Sequence, residues 1–315
     1  MRKKIKEMDF SEEIKKLKEE KNCVILAHFY QTADIQNIAD FVGDSLQLSQ
    51  EAVKTDADII LFCGVNFMAE TAKILSPHKK VLLPEPEAGC SLADSCNAEN
   101  LKEFLLDYPD YTVVSYVNTS VGVKALTDIC CTSSNAVKII ENLPKNEKIV
   151  FLPDRNLGAY IKSVTGRDDI VVWNGACHVH EEFSVERIIE LKKEYPDAKV
   201  LAHPECKKTV LILADKIGST ADLLKFSRES DSKEFIVATE SGILHQMQLA
   251  SPEKTFIPAP PIDSTCGCND CKFMKMITLE KIYNTLKNET PEVIIDLELI
   301  EKAKKSIVRM LELTK

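Results

Sequence analysis

The sequence has no apolar run near the roughly 20 residues that a membrane-crossing helix needs; its longest are stretches such as ADIILFCGV, residues 57–65. Glycine is scarce, at 10 of 315 residues, which sets aside glycine-rich linkers and low-complexity arrays. No GxxxxGK[ST] segment occurs, so a nucleotide phosphate loop of that kind is excluded. Positive charge is also short: 40 Lys and Arg stand against 49 Asp and Glu, a net charge of −9. A nucleic-acid scaffold does not fit that balance, and an anionic substrate must be met by local donors instead of a global field.

What remains is a globular chain, 44% hydrophobic, long enough for two or three small domains. The opening segment MRKKIKEMDFSEEIKKLKEEKN lacks the apolar core of a signal peptide and reads as an amphipathic helix. The expectation is a cytoplasmic protein without membrane or nucleic-acid partners.

Cysteine, by contrast, is plentiful. Eleven occur, at 23, 63, 90, 96, 130, 131, 177, 206, 266, 268 and 271. An odd number in a cytoplasmic setting argues against a disulfide framework, and small buried cysteines are ordinary core residues. The stretch CGCNDCKFM, 266–274, is compatible with a zinc knuckle, a redox dithiol or part of a cluster site.

Internal repetition narrows those options. Three apolar runs, VILAHFY (24–30), TVVSYVN (112–118) and VLAHPE (200–205), end in polar residues. Each reads as a buried parallel strand carrying functional groups at its carboxyl end. His28, Tyr116 and His203 align, the steps from 28 to 116 to 203 being 88 and 87; Tyr30, Asn118 and Glu205 follow in register. Downstream, VGDSLQL, CCTSSNA and IGSTADL place Ser45, Ser133 and Thr220 at the start of helical patterns. There they serve either as N-caps or as part of an anion site at a helix N-terminus. Second strands follow in ADIILFCGVNF, KIVFLPDRNLG and EFIVATESGIL, and third strands in VLLPEPE, DIVVWNG and KTFIPAP. After each third strand comes cysteine: Cys90, Cys177 and the group at 266–271.

The expected fold is therefore α/β: three homologous three-layer αβα domains with short parallel sheets, set with pseudo-threefold symmetry around a central site. The expected boundaries are an N-terminal helix over 1–21, repeats over 22–105, 106–193 and 194–275, and C-terminal helices over 276–315 packing back on the body. Ligands of open parallel sheets sit beyond the strands' carboxyl ends, so three such domains facing one another would share one site. Three thiols there suit zinc, a redox pair, plain core packing or an iron–sulfur cluster. Three thiolates on four irons leave one iron open as a Lewis acid.

The set ILAHFYQ, ADFVGDSLQLS, YVNTS, CTSSNAV, PDRNLG, HPEC and GST, with a cysteine-rich segment before the final helices, closely resembles the quinolinate synthases from about residue 20 to the C-terminus. The resemblance implies the same three-domain fold and a [4Fe-4S] cluster held by one cysteine per domain. It places the third ligand at the last cysteine of the group, giving Cys90, Cys177 and Cys271. It implies a condensing transferase of NAD biosynthesis that joins iminosuccinate to dihydroxyacetone phosphate, yielding quinolinate with loss of phosphate and two waters. An iminosuccinate-producing aspartate oxidase or dehydrogenase would be its functional neighbour.

Position by position, the resemblance has His28 and Ser45 holding the iminosuccinate carboxylates. Tyr116, Asn118 and Ser133 come from the second repeat, and His203, Glu205 and Thr220 from the third. Glu205 is the leading general acid–base, Tyr30 is the candidate to polarise the ketone or relay a proton, and Tyr116 is counted with them as catalytic. The chain departs from the family at C-x-C-x-x-C, where C-x-x-C-x-x-C is common. Rival readings are another [4Fe-4S] hydro-lyase, a zinc-dependent aldol-type enzyme, and a non-catalytic redox or metal module using Cys268 and Cys271.

Several residues carry bland expectations. Cys23, Cys63, Cys96, Cys130, Cys131 and Cys206 read as packing, His178 as a loop residue, and His78 and His245 as having no site context. His180 lies near enough to Cys177 to support it. Arg155 suits either a strand-to-helix turn or a phosphate.

Overall fold

The computed structural model describes residues 9–263 and 270–314; Cys266 and Cys268 lie outside them. Three four-stranded sheets are built, every strand pair parallel. The first contains β1 (Cys23–His28), β2 (Phe41–Gly43), β3 (Ile59–Cys63) and β4 (Lys80–Leu82). The second contains β5 (Thr112–Tyr116), β6 (Ile129–Cys131), β7 (Ile149–Leu152) and β8 (Val171–Val172). The third contains β9 (Lys199–Ala202), β10 (Lys216–Ile217), β11 (Glu234–Ala238) and β12 (Thr255–Pro258). Their orders, β2-β1-β3-β4, β6-β5-β7-β8 and β10-β9-β11-β12, are one topology used three times.

Central strands such as IILFC and IVFL are buried along their whole length, as parallel strands covered by helices on both faces must be. The sequence pattern implied three strands per repeat, and the structure adds a fourth, β2, β6 and β10. At two or three residues these strands are too short to leave a periodic signal. An aspartate docks each of them. Asp40, Asp128 and Asp215 accept the backbone N–H of Ile25, Val113 and Val200 at 2.8, 2.8 and 2.7 Å. Each aspartate's own N–H returns a bond to the carbonyl of the same residue, so a side chain extends the ladder where the strand is too short to do so.

The expected amphipathic N-terminal helix runs over Phe10–Glu20, capped by Asp9 and burying Ile14. It packs against the helix Leu279–Asn288. The last helix, Leu297–Thr314, buries Ile300, Ala303, Ser306, Ile307 and Met310 on one stripe and lies on β6 and on the helix Asn66–Leu75 of the first repeat. Burial of each large apolar side chain is worth about 1.5–3 kcal/mol, so this helix ties two repeats together. The third repeat meets the first at Gly242, where a Cβ would lie 2.7 Å from Phe29 O and Tyr30 Cα; only glycine admits that approach.

Candidate active site

The three sheets direct their carboxyl ends at one cavity. Every residue singled out for the site lines it: His28, Tyr30, Ser45 and Cys90 from the first repeat; Tyr116, Asn118, Ser133 and Cys177 from the second; His203, Glu205, Thr220 and Cys271 beyond them. His28 and Tyr116 are the last residues of β1 and β5, and His203 follows β9 directly.

The hydroxyl residues do not cap their helices. Asp44 and Ser219 do so, each in a capping box, and Ser45 and Thr220 are the first helical residues. Ser133 stands two positions before Asn135, the cap of the helix Ala136–Asn142. With capping taken by Asp44 and Ser219, the hydroxyls of Ser45 and Thr220 turn to the cavity, where Thr220 Oγ1 lies 3.2 Å from Tyr30 Oη. Asn118 adds a buried side-chain oxygen that no protein group satisfies.

Two histidines share one device. The N–H of Tyr30 donates to His28 Nδ1 at 3.2 Å, and the N–H of Glu205 donates to His203 Nδ1 at 3.4 Å. With Nδ1 accepting, the neutral ring carries its hydrogen on Nε2. Burial first, then the positive charge of neighbouring groups, pushes His28 down to about 3. His203 falls to about 3 by burial, against the pull of Glu205. Both are neutral donors at physiological pH.

Glu205 is 3% exposed and surrounded by donors. Tyr116 Oη donates to Oε1 at 2.6 Å, and His180 Nδ1 lies 3.2 Å from Oε2. Burial opposes its ionisation, but attraction to the rings of His180 and His203 once they are protonated, with the bond from Tyr116, prevails and holds the carboxyl at about 2. Burial pushes the hydroxyls of Tyr30 and Tyr116 well above their ordinary value, and the Glu205 charge adds to it.

The thiols also follow a common pattern. The N–H three residues on points at each sulfur: Ala93 at Cys90, His180 at Cys177, Met274 at Cys271. Burial raises all three thiols, Cys90 to about 12, with mutual repulsion between Cys90 and Cys271 and between Cys177 and Cys90. Such a set ionises when a cation joins it, and N–H groups aimed at sulfur suit thiolate ligands. The donor set therefore fits a metal centre. Cys23, Cys63, Cys96, Cys130, Cys131 and Cys206 are buried among apolar side chains.

Residues that the repeat pattern did not single out complete the site. Two positions beyond β7, Asp154 accepts the N–H of Cys177 at 3.3 Å. Two beyond β11, Glu240 accepts that of Cys271 at 3.1 Å and pairs with Lys275 at 2.8 Å. Their common offset from the second long strand was the available signal; it was hidden because Asp and Glu differ in length and the first repeat has Val65 there. His178, read as a loop residue, joins Ser91 across a repeat boundary at 2.8 Å. Arg155 bonds Glu181 at 2.7 Å in the strand-to-helix turn and does not line the cavity.

Comparison with known proteins bears on this geometry. A family model described as quinolinate synthetase A protein matches residues 12–312. A curated protein of Chloroherpeton thalassium named quinolinate synthase is 56% identical over 311 residues, 99% of this chain and 96% of its own. Quinolinate synthases of Microcystis aeruginosa and Synechocystis sp. are 57% and 56% identical over 301 residues, each alignment covering 96% of this chain and 94% of theirs. The chain belongs to the quinolinate synthetase A family. Family membership makes it an enzyme, and the cavity shared by its three sheets is the place where a family active site can be built. Among the described residues no helix is long and apolar enough to cross a membrane.

Proposed function

We propose that the chain is a cytoplasmic quinolinate synthase, condensing iminosuccinate with dihydroxyacetone phosphate to quinolinate, phosphate and water for NAD biosynthesis. The observation that carries the reading is convergence: one cysteine per repeat, each sulfur met by an N–H three residues on, opens on the same cavity as the Tyr116–Glu205 pair. Cys90, Cys177 and Cys271 would hold a [4Fe-4S] cluster. When bound, such a cluster supplies an open iron that acts as a Lewis acid toward substrate oxygen.

The chain's own residues account for binding and proton transfer. In an acidic protein a dicarboxylate needs neutral donors, and His28 Nε2–H, His203 Nε2–H, Ser45, Ser133, Thr220 and Asn118 are that set. The free N–H groups of the helices starting at Ser45 and Thr220 add to it. Tyr30 Oη, which lines the cavity, would polarise the ketone of the triose. Glu205, ionised and buried, accepts the proton released on enolisation and returns it to a departing hydroxyl. Tyr116 holds the carboxylate in place. An aspartate oxidase or dehydrogenase that makes iminosuccinate would supply the first substrate.

A single zinc ion is the rival, because Cys177, His180 and Glu205 offer ligand atoms within 4.8 Å of one another. Anaerobic purification with analysis for iron, acid-labile sulfide and zinc separates the two. Incubation with iminosuccinate and dihydroxyacetone phosphate should then form quinolinate. A colourless zinc protein with full turnover would overturn the cluster, and absence of quinolinate from an iron-replete protein would overturn the reaction.

A further inference from the structure

Tyr30, Asn118 and Glu205 occupy equivalent positions just beyond β1, β5 and β9, in turns whose main-chain carbonyls need partners. In the first repeat the turn closes on a bond from the N–H of Gln31 to His28 O at 3.0 Å, and in the third on one from Cys206 to His203 O at 2.9 Å. In the second it is one residue tighter: the N–H of Thr119 donates to Val117 O at 2.8 Å, with Asn118 at the centre. Asn118 lines the cavity from that turn, and its side-chain oxygen meets no protein donor.

A side-chain donor holds each turn. In the first repeat Gln36 Nε2 donates to Gln31 O at 2.8 Å and to Phe29 O at 2.9 Å. The repeat step of 88 carries Gln31 to Thr119 and Gln36 to Lys124, and Lys124 Nζ donates to Thr119 O. The next step, 87, carries Lys124 to Leu211, which has no side-chain hydrogen to give. There Asn156 of the second repeat takes over, its Nδ2 donating to Glu205 O at 3.0 Å.

Lys124 is the costly member of this set. Lysine is seldom fully buried, yet Lys124 is, with Nζ over the Phe67 ring, 5.4 Å from its centroid. Its main chain is anchored, because Ser306 of the last helix donates to Lys124 O at 3.1 Å. Lys124 does not line the cavity, so it acts on neither substrate directly.

We infer that Lys124 is a positioning residue for Asn118: its amine clamps the Thr119 carbonyl and so fixes the turn that presents the Asn118 amide to the substrate. This assignment rests on the proposed binding role of Asn118. It explains why a lysine is buried where the third repeat has leucine.

Lys124→Met keeps the length of the side chain and removes the donor; Lys124→Gln restores one with the group that the first repeat uses. In the iron-replete enzyme, Met should raise KM for iminosuccinate about 5- to 20-fold, part of what a hydrogen bond to a charged group contributes. kcat and KM for dihydroxyacetone phosphate should stay within about twofold, a split that general loosening of the fold would not give. Gln should bring KM back to within about threefold of the parent. Asn118→Ala should raise the same KM, and adding Lys124→Met to it should change KM by less than about twofold, because the two residues act as one unit. Amide exchange over residues 116–121, followed by mass spectrometry, should quicken in the Met form and not in the Gln form.

A KM of the Met form within about twofold of the parent would overturn the inference. So would a folded Gln form whose KM rises as far as that of Asn118→Ala, effects of Met and Ala that multiply in the double variant, or amide exchange unchanged in the Met form. Failure of the parent itself to make quinolinate would count against the reaction, while the exchange readout would still decide whether Lys124 clamps the turn.

Discussion

Tyr116 Oη reaches Glu205 Oε1 at 2.6 Å across 89 residues of sequence, joining the end of one repeat's first strand to the end of the next. Both groups are buried, so the bond is worth more than its exposed equivalent and holds the carboxylate to one rotamer. Glu205→Gln should therefore lower kcat by about 10²–10⁴ while iron content and substrate KM change little, because the amide keeps the shape and loses the base. Tyr116→Phe should cost less, since His180 still holds the carboxylate. Turnover of the Gln form within a few-fold of the parent would remove Glu205 from the acid–base role.

The thiols separate into two classes that mutagenesis can tell apart. Cys90→Ala, Cys177→Ala and Cys271→Ala should each lose most iron and acid-labile sulfide along with turnover. Cys96→Ala should keep both, although Cys96 is fully buried only six positions beyond Cys90, because it packs with Leu101, Val123 and Leu152 in a separate core. Iron and sulfide per chain, measured anaerobically, decide it; full iron in the Cys271 form would move the third ligand elsewhere in the C-terminal group.

Much of this site was legible because the chain states its design three times. The strand-end residues, the helix-start hydroxyls and the thiols keep a step near 87, and a parallel sheet delivers equivalent positions to equivalent places. The short strands β2, β6 and β10 were not legible, since two or three residues carry no period. Neither was the assignment of capping: Ser45 and Thr220 look like N-caps until Asp44 and Ser219 are seen to take that role. The contacts that His178 and His180 make were hidden for another reason. Their partners lie in other repeats, and a contact between repeats leaves no trace in the spacing within one.

Glu240 carries a further expectation. It is fully buried, and one oxygen accepts the N–H of Cys271 while the other accepts that of Gly242. Lys275, which neutralises it, also donates to the carbonyl of Tyr30. The pair pins the segment bearing Cys271 to both the third and first repeats. Glu240→Ala leaves two N–H groups and an ammonium without their partner, an effect of about 3–5 kcal/mol for a broken buried pair. Iron should bind less tightly, and Cys271 should be alkylated faster in metal-stripped protein than in the parent. An unchanged alkylation rate would show that the segment does not depend on Glu240.

Acid should weaken the fold through the same histidines that keep the site neutral. His28 and His203 are held at about 3 in the folded chain, against roughly 6.5 when unfolded. Between those values the unfolded state binds the extra protons. Stability from this source is therefore complete above pH 6.5 and falls as pH drops toward 3, by about 1.4 kcal/mol per proton per pH unit. Glu205, held at about 2, acts in the same direction lower down: its contribution is present above roughly 4.5 and is lost as pH falls toward its folded value. Denaturant midpoints of the intact protein at pH 7, 6 and 5 should thus decline, and more gently in His28→Gln, which carries one fewer proton acceptor. Parallel declines in the two proteins would mean that His28 is already charged in the fold, and the neutral Nε2–H donor assigned to it would have to be given up.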